Sequence, residues 1–154
     1  MFVTLKIPDA EAATAENTLR RYLGYEKELK GLRRESLWSV LVDAADESEA
    51  EGMGRQFAER QLVNDNKESY RIEVGEEELQ FGESEVPRLL TRLKIKDGVA
   101  VTVRDTLRQR LGFGERVVEV KRGSLWFMDA EPKLVEKIAV DLLVNKNKDE
   151  FFVL

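Results

Sequence analysis

Cysteine and histidine are both missing from this chain of 154 residues. Their absence excludes disulfides, thiol nucleophiles, Cys/His zinc sites, catalytic triads and imidazole acid-base chemistry together. Any catalysis would rest on carboxylates, lysine or groups borrowed from a partner. Long apolar runs are also missing, and the opening MFVTLKIP reads directly as a strand rather than a signal. The expectation is therefore a cytoplasmic protein with no membrane role. No glycine-rich phosphate loop of the Walker or Rossmann type occurs, which argues against intrinsic nucleotide chemistry. Carboxylates cluster only as acidic runs, so no catalytic residue, metal ligand or cofactor site is expected.

What is present is the balance of a soluble globular protein, 42% hydrophobic and 36% charged residues. A net charge of −5 argues against a nucleic-acid binder, because a phosphate backbone demands a basic face. The charge is unevenly spread. Residues 1–74 carry 11 Lys/Arg against 15 Asp/Glu, residues 75–89 carry 1 against 5, and residues 90–154 carry 13 against 10. Such asymmetry is either drift on solvated faces or a means of docking one partner in one orientation.

The chain repeats itself. Residues 4–38 align without a gap on residues 92–126 at an offset of 88, with 15 of 35 positions identical. A fused pair of small modules usually stands in for a homodimer of the single module, with an internal pseudo-two-fold. The expected organisation is a first repeat over 1–74, an acidic linker over 75–89 and a second repeat over 90–154. Each repeat is marginal alone, so the two should share a core or a continuous sheet.

Each repeat opens with a period of two, Val3, Leu5, Ile7 and Leu93, Ile95, the mark of a strand with one buried face. Helical spacing follows in Ala12, Ala15, Leu19, Leu23 and in Ala100, Val103, Leu107, Leu111. Thr14 and Thr102 sit where an N-cap belongs, and Gly24 and Gly112 where a left-handed residue closes a helix. Two β-prone stretches come next in each repeat, Leu29–Arg33 then Ser36–Val42, and Val117–Lys121 then Ser124–Met128. The pairs Arg34-Glu35 and Arg122-Gly123 between them read as a tight hairpin or a kink in one long strand.

A second helix carries Met53, Phe57, Leu62 against Leu134, Ile138, Leu143 at an offset of 81, so the first repeat has seven extra residues in its acidic loop 43–52. Ser48 with Glu51 resembles a capping box, and Pro132 suits a first helical turn. Both repeats end on an asparagine turn, Asn64 and Asn145, and a last strand, 70–74 and 151–154. The Glu-Leu-Gln-Phe segment of the linker is a further strand candidate. The order is that of a ferredoxin-like α+β unit, antiparallel strands with helices on one face.

Laid out in this way, the module resembles PurS, the small accessory subunit of phosphoribosylformylglycinamidine (FGAM) synthase. Leu23-Gly24-Tyr25 and Leu111-Gly112-Phe113 match the family's first helix end, and Val120-Lys121-Arg122-Gly123 its hairpin. Leu62, Asn64, Glu68, Tyr70 and Leu143, Asn145, Asp149, Phe151 match its ending. The family's Asp-Pro-Gln-Gly at the first helix and its hairpin lysine are absent here; Ser36 and Ser124 stand at the lysine position. The resemblance implies a non-catalytic protein that bridges the synthetase PurL, which binds ATP and FGAR, to the glutaminase PurQ, which supplies ammonia. A fused pair would do this as a covalent pseudo-dimer, a monomer or weak dimer in isolation. A different class of function, an ACT-type small-molecule sensor, would show a glycine ligand loop, for which only Gly98 qualifies.

Four residues are candidate partner contacts: Arg34, Trp38, Arg122 and Trp126. Ser-Leu-Trp recurs at 36–38 and 124–126, and tryptophan and arginine are enriched at binding hot spots. The competing role for the tryptophans is packing of sheet against helix. Arg20 and Arg108 also recur, as anion holders or as locally paired surface charges.

Overall fold

The computed structural model describes residues 1–76 and 81–154. Its elements run β1 (Phe2–Leu5), α1 (Ala10–Asn17), β2 (Gly31–Val42), α2 (Glu47–Phe57), β3 (Glu68–Arg71), β4 (Arg88–Leu93), α3 (Gly98–Gln109), β5 (Val117–Asp129), α4 (Pro132–Ile138) and β6 (Asp149–Val153). This is an α+β fold whose strands hydrogen-bond in the order β3-β1-β2-β5-β4-β6. The expected strand in the linker lies outside the described residues except for Phe81.

The chain forms two compact units, and each draws on both repeats. The first comprises Met1–Lys6, Leu37–Gly82 and Lys96–Arg122; the second comprises Ile7–Ser36, Glu83–Ile95 and Gly123–Leu154. In the first unit, α2 and α3 bury Met53, Phe57, Ala100, Val103 and Leu107 with Val117 and Val120 of β5. The Phe57 and Phe113 rings meet edge to face at 4.8 Å. In the second unit, α1 and α4 bury Leu19, Tyr25, Val135 and Ile138 with Leu32, Leu89, Trp126 and Met128. The helix stripes read from the sequence are these faces, except that Leu23, past the end of its helix, is 44% exposed.

The two units share a strand register. In the first unit β1 pairs antiparallel with β3, Val3 opposite Tyr70 and Leu5 opposite Glu68. In the second unit β4 pairs with β6, Thr91 opposite Phe151 and Leu93 opposite Asp149, the same register moved by 88 and 81 residues. Gly24 and Gly112 have φ of 82° and 79°. That left-handed turn lets the Tyr25 amide reach back to Leu19 O at 3.1 Å and the Phe113 amide to Leu107 O at 3.2 Å. The asparagine turns hold too. Asn64 Oδ1 accepts from Asn66 N at 3.1 Å, and Asn145 Oδ1 from Asn147 N at 3.0 Å.

Three local expectations are corrected. The N-caps of α1 and α3 are Asp9 and Asp97, each accepting from two first-turn amides. Thr14 and Thr102 lie inside the helices and donate to Ala10 O and Gly98 O. The cap of α2 is Asp46, which accepts from Glu49 N, while the Glu49 carboxylate accepts from Ala45 N; the capping box exists two residues earlier than read. Pro132 is in the first turn of α4, as expected.

Finally, the paired stretches are not hairpins. β2 and β5 are single strands of 12 and 13 residues. Their central charges find partners on the sheet: Arg33 Nη1 donates to Glu35 Oε1 at 3.1 Å, and its guanidinium lies 3.5 Å from the Phe127 ring centroid. Gly123 marks close approach rather than a turn, since a Cβ there would meet Thr91 O at 2.7 Å. The last strands, β3 and β6, begin two residues earlier than read because the asparagine turns feed straight into them.

Candidate partner-binding site

Arg34 and Arg122 occupy equivalent places with unequal surroundings. Alternation along β2 turns Arg34 toward the start of α1, where Nε donates to Asp9 Oδ2 at 2.9 Å and a second nitrogen pairs with Glu11. Its side chain is only 16% exposed. Arg122 donates to Asp97 Oδ2 at 2.6 Å, but Val99 replaces Glu11 in this repeat, and the arginine is 41% exposed. Burial raises both aspartate pKa values, yet the arginine bond and the helix amides outweigh it and hold both carboxyls below their ordinary value. Each cluster thus caps a helix and ties it to the long strand.

The tryptophans differ more. Trp126 is 4% exposed in the second core, and its Nε1 donates to Thr91 Oγ1 at 3.3 Å. Trp38 is half-buried at the edge of the first core. Val3 stands where the other unit has Thr91, so the Trp38 indole has no equivalent acceptor. Beside it opens a cavity of about 750 Å³, floored by Trp38, Val40, Phe57 and Ile72.

Arg20 and Arg108 are paired locally. Arg20 Nη1 donates to Glu16 at 3.1 Å, and Arg108 Nε donates to Val117 O at 2.7 Å. They serve their own units. Among the described residues no group of three or more acidic side chains is arranged to hold a metal ion. Among the described residues no helix is long and apolar enough to cross a membrane.

One cluster escaped the sequence reading. In the second unit the Tyr25 hydroxyl donates to Asp141 Oδ2, and Lys137 Nζ donates to the same hydroxyl at 2.5 Å and to Asp141 at 2.9 Å. Burial, then the Asp141 carboxylate, push the Tyr25 pKa up; the tyrosine and aspartate bonds push the Lys137 pKa up. The i,i+4 spacing of Lys137 and Asp141 was a visible signal, but their tyrosine lies in the other repeat. In the first unit Phe113, Gln56 and Arg60 hold the equivalent positions.

Among protein families, PurS, described as phosphoribosylformylglycinamidine (FGAM) synthase, matches residues 1–76. No curated protein matches the chain. The match ends where the first repeat does, and the second repeat reproduces its strand register, glycine turns and asparagine turns. The first part of the chain, residues 1–76, is thus a PurS-like unit.

Proposed function

We propose that the chain is a fused PurS pair, a non-catalytic accessory subunit of FGAM synthase in purine biosynthesis that bridges a PurL-type synthetase to a PurQ-type glutaminase. The observation that carries this reading is the family match over residues 1–76. The second repeat supports it through the same register at offsets of 88 and 81. Family-type subunits act as pairs, and here the pair lies in one chain, so a monomer or weak dimer is the working form. Fusion also frees the two repeats to diverge, as they have in charge, and lets each present a different face to a different subunit.

The test is reconstitution. Purified PurL-type and PurQ-type subunits from the same host are assayed for glutamine-dependent FGAM formation with and without the full chain. The expected outcome is that the chain restores glutamine-dependent activity and brings both subunits into one complex on size exclusion. Unchanged activity and no co-elution with either subunit would refute the proposal.

A further inference from the structure

The first unit is hollowed out around the tryptophan that the second unit seals. Buried Met128 has the smaller Val40 as its counterpart, and Val135 has Gly54, beside which Ile72 lies 3.3 Å from where a Cβ would sit. The first unit has a cavity of about 750 Å³ open beside Trp38, with Val40, Gly54 and Ile72 in its lining. The extra residues of the acidic loop stand at its mouth, with Ala44, Ala45 and Asp46 in the lining.

The rim is mostly acidic. Asp46, Glu47, Glu73, Glu76 and Glu119 line it against Lys121 and the Met1 amino group, whose pKa burial lowers to about 6, and Glu73 pairs with Arg71 at 3.3 Å. Lys121 is itself engaged with Glu119 at 3.4 Å. An apolar floor with an aromatic anchor and a polar rim is the anatomy of a protein-docking hot spot.

Resting on the bridging role proposed above, we infer that this groove docks a cationic segment of one synthase subunit, with an apolar side chain set against Trp38 and lysines or arginines along the rim. The groove lies in the first unit, and the fused pair binds this subunit through that unit. Orientation then follows from the hollowing of one copy.

The test measures binding of the full chain to each purified host subunit, PurL-type and PurQ-type, by isothermal titration calorimetry. Trp38→Ala is expected to weaken binding of one subunit about 30-fold. Because Trp38 also packs on the first core, the exposed pair Glu73→Gln/Glu119→Gln provides a second variant that leaves the fold intact. It should weaken binding about 10-fold at low salt and flatten its ionic-strength dependence. Wild-type binding to neither subunit would overturn both this inference and the bridging role. Wild-type binding that both variants retain would overturn the groove and leave bridging standing. Self-association of the wild type that Trp38→Ala abolishes would overturn it in favour of a second copy as the occupant.

Discussion

Replacing Arg34 by glutamine removes the cation that ties the start of α1 to β2. The two side chains of the Asp9–Arg34 pair are each 16% exposed, whereas Arg122 of the equivalent pair is 41% exposed. Exposed pairs are worth about 0.2–1 kcal/mol, and breaking a buried one costs about 3–5 kcal/mol. Arg34→Gln therefore belongs between these limits, at about 2 kcal/mol, and Arg122→Gln near the upper surface value, at about 1 kcal/mol. For a chain of this size the shifts in Tm are about 4–8 °C and about 2–4 °C.

The pH dependence gives a second reading of the same bond. The Asp9 carboxyl lies below its ordinary 3.8 in the folded state, so its contribution is present above that value and disappears as pH falls through the folded pKa. Urea melts of wild type and Arg34→Gln should thus converge as pH falls below about 3.8. Asp9→Asn, which keeps the helix cap, completes a double-mutant cycle with a coupling of about 1 kcal/mol at pH 7. A gap that persists unchanged to pH 2.5, or a larger cost at Arg122 than at Arg34, would refute the reasoning.

Tyr25→Phe removes a hydroxyl held by Asp141 and Lys137 and should cost about 1 kcal/mol in chemical denaturation, while Phe113→Tyr should not stabilise the first unit, which lacks those partners. Gly24→Ala and Gly112→Ala should each cost about 1 kcal/mol by backbone strain alone, since nothing lies within 4 Å of an added methyl; unequal costs in thermal melts would contradict their equivalence. Gly123→Ala is a different case, forcing a methyl against Thr91 O, and should cost about 2 kcal/mol or more with faster amide exchange in β4.

Much of the fold was legible because its signals are local. A left-handed glycine, an asparagine turn or a helical stripe depends on neighbours a few residues away, and Gly24, Asn64 and the Leu19 stripe were all read correctly. The N-caps were misread because threonine and aspartate are both good caps, and the choice between Thr14 and Asp9 depended on Arg34, 25 residues further on. Length misled at β2, where a run of charges looks like a turn until the sheet supplies each one with a partner. The pairing of α1 with α4 could not be read at all, because identical stripes in two repeats fit each other in more than one combination. Of the candidate contacts, the sequence treated Trp38 and Trp126 alike; what separates them is Val3 and Val40 in one unit against Thr91 and Met128 in the other.

The exchange of helices between repeats also orders the birth of the protein. The first unit needs nothing beyond Arg122, so it closes while the last strand and helix are still being made. Helix α1, although synthesised early, finds Val135 and Ile138 only after roughly a hundred more residues have emerged. At about 5–20 residues per second that is a wait of about 5–20 s with an apolar face uncovered. A premature stop between residues 123 and 134 would therefore leave the first unit complete and strand the beginning of the chain without its partner, so that damage near the C-terminus is felt at residue 12.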